Sequence, residues 1–285
     1  MIFAIKGALL TLLVTTSLNV YAKKLINECQ TIDVQINTIK LLDGVSVEMP
    51  LVANASDCLG AFEGNNSAFD KPIQNLGYDE DGWLNKEDYN AWWDGPGAFV
   101  NDVDLLDLDG DGAEDDPGWI LVGKEEQSGF EGGVSSDGTL TYNHEQLVTL
   151  NHCKTGDEDN TSCFGGEAVK GQWVYTPPAQ NPTGLLDLVG GDFFDQVAII
   201  FKAGNAFAIY NFNVIDLGLD PTLAGDYNFA FTGTWDISET LGSGLSNLSF
   251  WAKDPSVPSV QVPEPATLIL MMMSGLFCFN RRNKA

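Results

Sequence analysis

Short strand-like segments separated by turn residues limit the folds open to this chain more than any other feature. Gly, Asn, Asp and Pro separate runs rich in β-branched and aromatic residues, and no long stretch shows the 3.6-residue periodicity of an amphipathic helix. The runs are Thr31–Lys40, Val45–Val52, Trp119–Lys124, Gln146–Asn151, Gln172–Thr176, Gln196–Lys202, Phe207–Val214, Tyr227–Trp235 and Leu248–Ala252. This spacing predicts an all-β protein, an antiparallel β-sandwich with a jelly-roll-like strand order.

The clearest local unit is a predicted β-hairpin. An apolar run from Val197 to Lys202 is followed by Ala203-Gly204-Asn205 and then by a second apolar run from Ala206 to Tyr210. Gly and Asn tolerate the positive φ angles of a tight turn, so Gly204 and Asn205 are expected at the turn. The one segment of the body that favours a helix is Lys86–Trp93, which is too short to change the fold class.

The first 22 residues have the features of a secretory signal peptide. Lys6 precedes an uncharged apolar run, and Val20 and Ala22 fit the positions that signal peptidase recognises. Cleavage is therefore expected after Ala22. The alternative is an uncleaved membrane anchor, but the apolar run is shorter than the roughly 20 residues that a span requires. We expect a signal helix that is removed on export.

The last 23 residues form a tail of three unlike parts. Pro263-Glu264-Pro265 comes first, the apolar segment Ala266–Phe279 follows, and Arg281, Arg282 and Lys284 end the chain. As a helix rising about 1.5 Å per residue, the apolar segment covers roughly 21 Å of a hydrocarbon core about 30 Å thick. It predicts a short C-terminal membrane helix whose basic end stays in the cytoplasm.

This tail resembles the PEP-CTERM sorting tail of Gram-negative bacteria, in which a Pro-Glu-Pro triplet, a short apolar helix and a basic end occur in that order. The resemblance implies that exosortase, a membrane enzyme, cuts near Pro263, Glu264 and Pro265. It further implies release or transfer of the body during export of an exopolysaccharide matrix. The expected location is the cell surface or extracellular matrix, after transient anchoring in the inner membrane.

The predicted organisation is a signal peptide over residues 1–22, a secreted β-sandwich domain over 23–253, a Pro-rich linker over 254–262 and the sorting tail over 263–285. Of the 14 Lys and Arg residues, four lie in the two ends, and of the 40 acidic residues only Glu264 does. The body therefore has a net charge of about −29, which disfavours nucleic acids and anionic lipids as partners. Contact with the membrane is expected only through the tail.

Four cysteines lie in the body: Cys29, Cys58, Cys153 and Cys163. Oxidising conditions outside the cytoplasm favour disulfides. Three pairings are possible, and we expect the local one, Cys29 with Cys58 and Cys153 with Cys163. The alternative for the second pair is metal ligation together with His152, but a second close pair of thiols is missing from the sequence.

An acidic loop is the best candidate site. Asp107, Asp109 and Asp111 alternate with other residues, and the glycines at 110 and 112 permit a tight turn, as in loops that gather oxygen ligands around calcium. If the loop follows the ligand spacing of an EF-hand, Asp115 supplies the next ligand. Gly118 occupies the position where an EF-hand has a bidentate Glu, so an EF-hand is not expected. Asp104, Asp116 or a distant carboxylate could complete the shell. The alternative is a solvated acidic loop without an ion.

Two further features have structural as well as functional interpretations. The acidic run Asp79–Asp81 is interpreted as a surface turn. The tryptophans near the acidic loops are expected to pack in the core, and if exposed they would instead form a platform for sugars. These tryptophans are Trp83, Trp92, Trp93 and Trp119.

No catalytic motif is present: the sequence has no Gly-x-Ser-x-Gly elbow, His-Glu-x-x-His pair or phosphate-binding loop. We therefore expect a structural or adhesive protein without catalysis, with calcium in the acidic loop and extracellular polysaccharide as a possible partner. Two alternatives stay open. One is a calcium-dependent carbohydrate-binding module, and the other is a secreted glycoside hydrolase that uses two carboxylates in one cleft.

Overall fold

The computed structural model describes residues 25–64, 66, 74–79, 81–85, 95–160, 162–189, 194, 196–219 and 227–253. The predicted signal peptide, the Pro-rich linker, the sorting tail and the predicted helix at 86–93 lie outside these residues. Within the described part of the chain, no helix is both long enough and apolar enough to cross a membrane.

The described elements are almost all strands. The strands are β1 (Val34–Leu41), β2 (Met49–Asn54), β3 (Asp57–Glu63), β4 (Trp119–Glu126), β5 (Gly129–Gly132), β6 (Val134–Ser136), β7 (Thr141–Asn143), β8 (Val148–Thr155), β9 (Glu158–Asp159), β10 (Lys170–Tyr175), β11 (Gln196–Ala203), β12 (Ala206–Asn213), β13 (Phe229–Asp236) and β14 (Leu245–Lys253). One α-helix, α1, spans Thr183–Val189, and short 3-10 turns lie at Thr31–Asp33 and Trp83–Asn85.

Two antiparallel six-stranded sheets contain most of these strands. The first has the order β2-β1-β13-β10-β8-β9 and the second has the order β3-β12-β11-β14-β4-β5, while β6 and β7 pair separately. This arrangement is consistent with a β-sandwich, so the predicted all-β class is confirmed. The jelly-roll-like order remains a prediction. Each of the nine predicted runs overlaps a strand, and the predicted hairpin is β11–β12, in which Ala203 pairs with Ala206.

Two hydrophobic clusters lie on opposite faces of the second sheet. Alternate residues of β12 point to opposite sides, so Ala208 and Tyr210 belong to the larger core, whereas Phe207 and Ile209 belong to a second cluster. Trp83, Leu84 and Ala98 of the insertion also belong to the second cluster. Chain from the insertion between β3 and β4 therefore covers the outer face of this sheet.

Side-chain amides attach this insertion to the edge of β4. Asn75 exchanges two hydrogen bonds with Leu121, donating from Nδ2 to the carbonyl at 2.9 Å and accepting from the backbone N–H at 2.7 Å. Asn85 does the same with Trp119, at 2.5 and 2.8 Å. Strand β5 pairs with β4 only from Gly123 onward, so each amide takes the place of a strand residue along the part of β4 that β5 does not reach. Backbone groups that would otherwise be buried without partners are thereby satisfied.

Both predicted disulfides are confirmed. Cys29 and Cys58 are bonded with their Cα atoms 6.1 Å apart, and Cys153 and Cys163 are bonded with a Cα separation of 5.1 Å. The first bond holds the N-terminal segment along β3, where the backbone N–H of Cys29 donates to the carbonyl of Gly60 at 2.7 Å. The exposed edge of the second sheet is covered in this way.

Candidate calcium loop and neighbouring sites

A closed loop brings three carboxylates together. Leu106 and Asp116 form an isolated antiparallel bridge, with N–H to carbonyl distances of 3.0 and 2.9 Å, and this bridge closes the base of the loop. Between its ends, Gly110 and Gly112 adopt φ angles of +76° and +92°, which residues with a Cβ rarely occupy. The loop can therefore fold back so that its aspartates converge.

The three converging carboxylates belong to Asp107, Asp109 and Asp116, and one ligand oxygen from each lies within 4.8 Å of the others. Asp107 and Asp109 are exposed, whereas Asp116 is buried. Oxygen ligands around one point are what calcium prefers, since this hard cation takes six to eight of them. The group could hold a metal ion.

Asp116 is the most constrained member of the triad. One carboxylate oxygen accepts the backbone N–H groups of Leu108 and Asp109 at 2.6 and 3.2 Å, and the other accepts the N–H of Asp79 at 3.1 Å. Burial nevertheless raises the pKa of the Asp116 carboxyl, with a smaller contribution from the charge of Asp109. A cation at the triad would offset this cost by favouring the ionised carboxylate.

The other two predicted ligands, Asp111 and Asp115, are exposed and lie outside this triad. Asp111 uses one carboxylate oxygen to accept the backbone N–H of Ala113 at 2.8 Å. The assignment of these two residues as metal ligands stays a prediction. The sequence predicts Asp116 only as one way to complete the shell, because the spacing of the aspartates does not show that the base of the loop closes beside Asp107.

The acidic run at Asp79–Asp81 is more than a surface turn, because Asp81 is buried. One oxygen of its carboxylate accepts the backbone N–H groups of Gln74 and Asn75 at 2.8 and 2.7 Å. The other accepts those of Leu76 and Gly77. A carboxylate satisfied by four donors is a structural anchor for the insertion, so the prediction of a surface turn is wrong for Asp81.

A serine and a histidine meet in the same region, but their surroundings are structural. The Ser135 hydroxyl lies 2.8 Å from Nε2 of His144 and donates to the carbonyl of Asn75 at 2.7 Å. Since its proton is used in that bond, Nε2 of His144 carries the proton that binds the serine oxygen. Ser135 is completely buried, and burial lowers the pKa of His144 to about 4. Both side chains are thus buried members of a hydrogen-bond network.

The tryptophans proposed as an alternative sugar platform are buried where the structure describes them. Trp83 and Trp119 are 1% and 0% exposed, and both belong to the cluster under the insertion. Trp92 and Trp93 lie outside the described residues. The expectation of core packing is therefore confirmed for Trp83 and Trp119.

An open cleft of about 720 Å³ lies at the edge of the insertion. One wall comes from the outer face of the second sheet, and the other comes from the turn at 99–104, which leads into the acidic loop. Asp57, Asp104 and Asp216 line it, and all three are exposed. No sequence motif indicates this cleft, because its residues come from four strands and three connecting segments.

Residues 261–284 match the family model described as the PEP-CTERM protein-sorting motif. The chain thus carries this motif at its C-terminus, which confirms the resemblance seen at Pro263, Glu264 and Pro265. The motif implies processing by exosortase and suggests an exported protein associated with the cell surface. No curated protein and no solved structure is significantly similar to the chain.

Proposed function

We propose that this protein is a non-catalytic structural or adhesive component of the cell surface or extracellular polysaccharide matrix. In this account signal peptidase removes residues 1–22, exosortase processes the tail, and the acidic β-sandwich is delivered outside the inner membrane. The observation that carries the proposal is the sorting motif at 261–284. The two disulfides support it, since such bonds persist in oxidising compartments.

Changing the sorting triplet tests the export step. The double variant Pro263→Ala, Glu264→Ala is expected to stay in the inner-membrane fraction with its tail attached, because the enzyme no longer recognises its cutting site. The matched control is Pro258→Ala in the linker. This variant should be found in the surface or extracellular fraction in the same amount as the wild type. Fractionation of the host followed by immunoblotting measures both. Normal processing of the double variant would contradict the proposal.

Calcium is proposed as a stabilising ion at the acidic loop. The support is the convergence of the Asp107, Asp109 and Asp116 carboxylates and the burial of Asp116. An ion that binds only the folded state stabilises it by about 2.7 kcal/mol when its free concentration is 100 times Kd. The melting temperature should therefore fall when a chelator replaces calcium.

Matched variants identify the ligands in this measurement. Asp109→Asn should abolish the calcium-dependent rise in melting temperature, whereas Asp102→Asn, an exposed acid outside the triad, should retain it. Asp111→Asn and Asp115→Asn decide whether these predicted ligands take part. A wild-type melting temperature that is the same with calcium and with chelator would remove the ion from the account.

The proposal of a non-catalytic role is supported by the surroundings of the carboxylates in the cleft. Glycoside hydrolysis requires a general acid, and such an acid is usually held in apolar surroundings that keep it protonated. Asp57, Asp104 and Asp216 are instead exposed. This observation favours binding over hydrolysis.

A further inference from the structure

We propose that the cleft between the second sheet and the 99–104 turn binds a neutral saccharide. This ligand class would explain what an adhesive protein of the matrix binds, so its biological role rests on the proposed function. The cleft and the aspartate triad have no residue in common. Binding at the cleft can therefore be tested separately from both calcium and export.

The outer face of the second sheet changes from apolar to polar at the cleft. On β11, Ala198 and Ile200 face the insertion and are fully buried, whereas Gln196, two residues earlier on the same face, lines the cleft. Asn211 follows Phe207 and Ile209 on β12 in the same way. Amide side chains therefore occupy the part of this face that the insertion does not cover.

Two buried amides on this face have unused hydrogen-bonding groups. Gln196 and Asn211 are only 8% and 5% exposed, and Nε2 of the first donates to Oδ1 of the second at 2.9 Å. Oε1 of Gln196 and Nδ2 of Asn211 have no hydrogen-bond partner within the described part of the chain. One acceptor and one donor side by side match a sugar hydroxyl, which both donates and accepts. Neither atom is buried without a partner, so both can be reached from the cleft.

The opposite wall adds a second set of polar groups and an apolar surface. Asn101 and Asp104 are exposed on the turn, where Nδ2 of Asn101 donates to the Asp104 carboxylate at 2.8 Å. Phe99, Leu59 and Ile215 also line the cleft. Small-molecule sites combine such apolar surface with a few polar groups, and a sugar ring presents C–H faces between its hydroxyls.

The charges at the cleft select against anionic ligands. Among the described residues that line it are three carboxylates, of Asp57, Asp104 and Asp216, and one ammonium group, that of Lys253. The whole body is also strongly acidic. A uronate or phosphate would therefore be repelled, whereas an uncharged sugar would not. The volume of about 720 Å³ falls within the range of roughly 300–1,000 Å³ found for small-molecule sites.

The test measures binding of oligosaccharides to the full chain in a detergent without a sugar headgroup. The neutral probes are cellotetraose, maltotetraose, mannotetraose and N-acetylchitotetraose, the anionic probe is tetragalacturonate, and isothermal titration calorimetry gives Kd in the presence of chelator. At least one neutral probe should bind saturably, and tetragalacturonate should not. The inference would be overturned if none of the neutral probes bound, or if tetragalacturonate bound as tightly as they do.

Variants place the binding in the cleft. Gln196→Met keeps the size of the side chain but removes the free acceptor, and Asn101→Ala truncates an exposed amide on the opposite wall, where folding is not at risk. Each substitution is expected to raise Kd about tenfold, because each removes one hydrogen bond to the ligand. Asn143→Ala, an exposed amide on β7, should bind as the wild type does. Unchanged affinity in Asn101→Ala and in folded Gln196→Met would overturn the assignment.

Discussion

Replacing Gly233 with alanine is expected to destabilise the sandwich strongly. Gly233 lies on β13 between β1 and β10, where a Cβ atom would stand 2.0 Å from the carbonyl oxygen of Gln35 and 2.3 Å from the Trp173 indole. That indole is fixed in place, because its Nε1 donates to the same Gln35 carbonyl at 3.1 Å. Neither the central strands nor the buried ring can move without breaking other contacts.

We expect this substitution to cost more than about 3 kcal/mol, the upper end of the usual penalty for overpacking. Total stabilities of domains are only about 5–15 kcal/mol, so this loss is a large fraction of the total. Urea unfolding followed by tryptophan fluorescence measures the loss. Gly184→Ala in α1 is the control, because its Cβ would meet nothing closer than 3.9 Å and alanine favours a helix. A Gly233→Ala variant as stable as wild type would contradict the packing of Trp173.

Acidification is expected to destabilise the protein through His144. Burial lowers the pKa of this histidine from 6.5 to about 4, so between these values the unfolded chain binds a proton that the folded protein does not. Stability is therefore complete above pH 6.5 and falls as the pH drops towards 4. A shift of this size corresponds to roughly 3 kcal/mol.

The free energy of unfolding, measured by urea titration from pH 7 to pH 4, tests this contribution. His144→Gln removes the titrating ring, so its stability should depend less steeply on pH, even though its stability at pH 7 is lower. His152→Gln is the matched control, because His152 is exposed and its replacement should leave the steep dependence unchanged. Equal pH dependence in the wild type and His144→Gln would contradict the buried, neutral state of His144.

The sequence predicts the strands that have an apolar face, but it misses strands whose composition resembles that of a loop. β11 and β12 are rich in Ile, Phe and Ala, and both are predicted. β3 contains Gly60 between acidic ends, and β5 is a four-residue strand with glycine at both termini. These strands are stabilised by pairing, β3 with β12 and β5 with β4. Such tertiary pairing overrides local propensity.

The residues of the candidate sites also divide into those that local sequence predicts and those that only the fold brings together. Local spacing identifies Asp107 and Asp109, and local pairing of cysteines predicts both disulfides. Asp116 joins the triad only because the chain pairs with itself at Leu106, and the cleft amides Gln196 and Asn211 meet only because β11 pairs with β12. Contacts that depend on strand register cannot be read from the spacing of residues along the chain.

The central claim is that both ends of the chain direct the acidic body out of the cytoplasm. Intact-mass spectrometry of the protein isolated from its native host tests it most directly. The account predicts a surface or extracellular species that begins near Lys23, ends near Pro263 and contains four cysteines in disulfide bonds. Full-length protein in the cytosol, with residues 1–22 and the basic C-terminus intact and its thiols reduced, would contradict it.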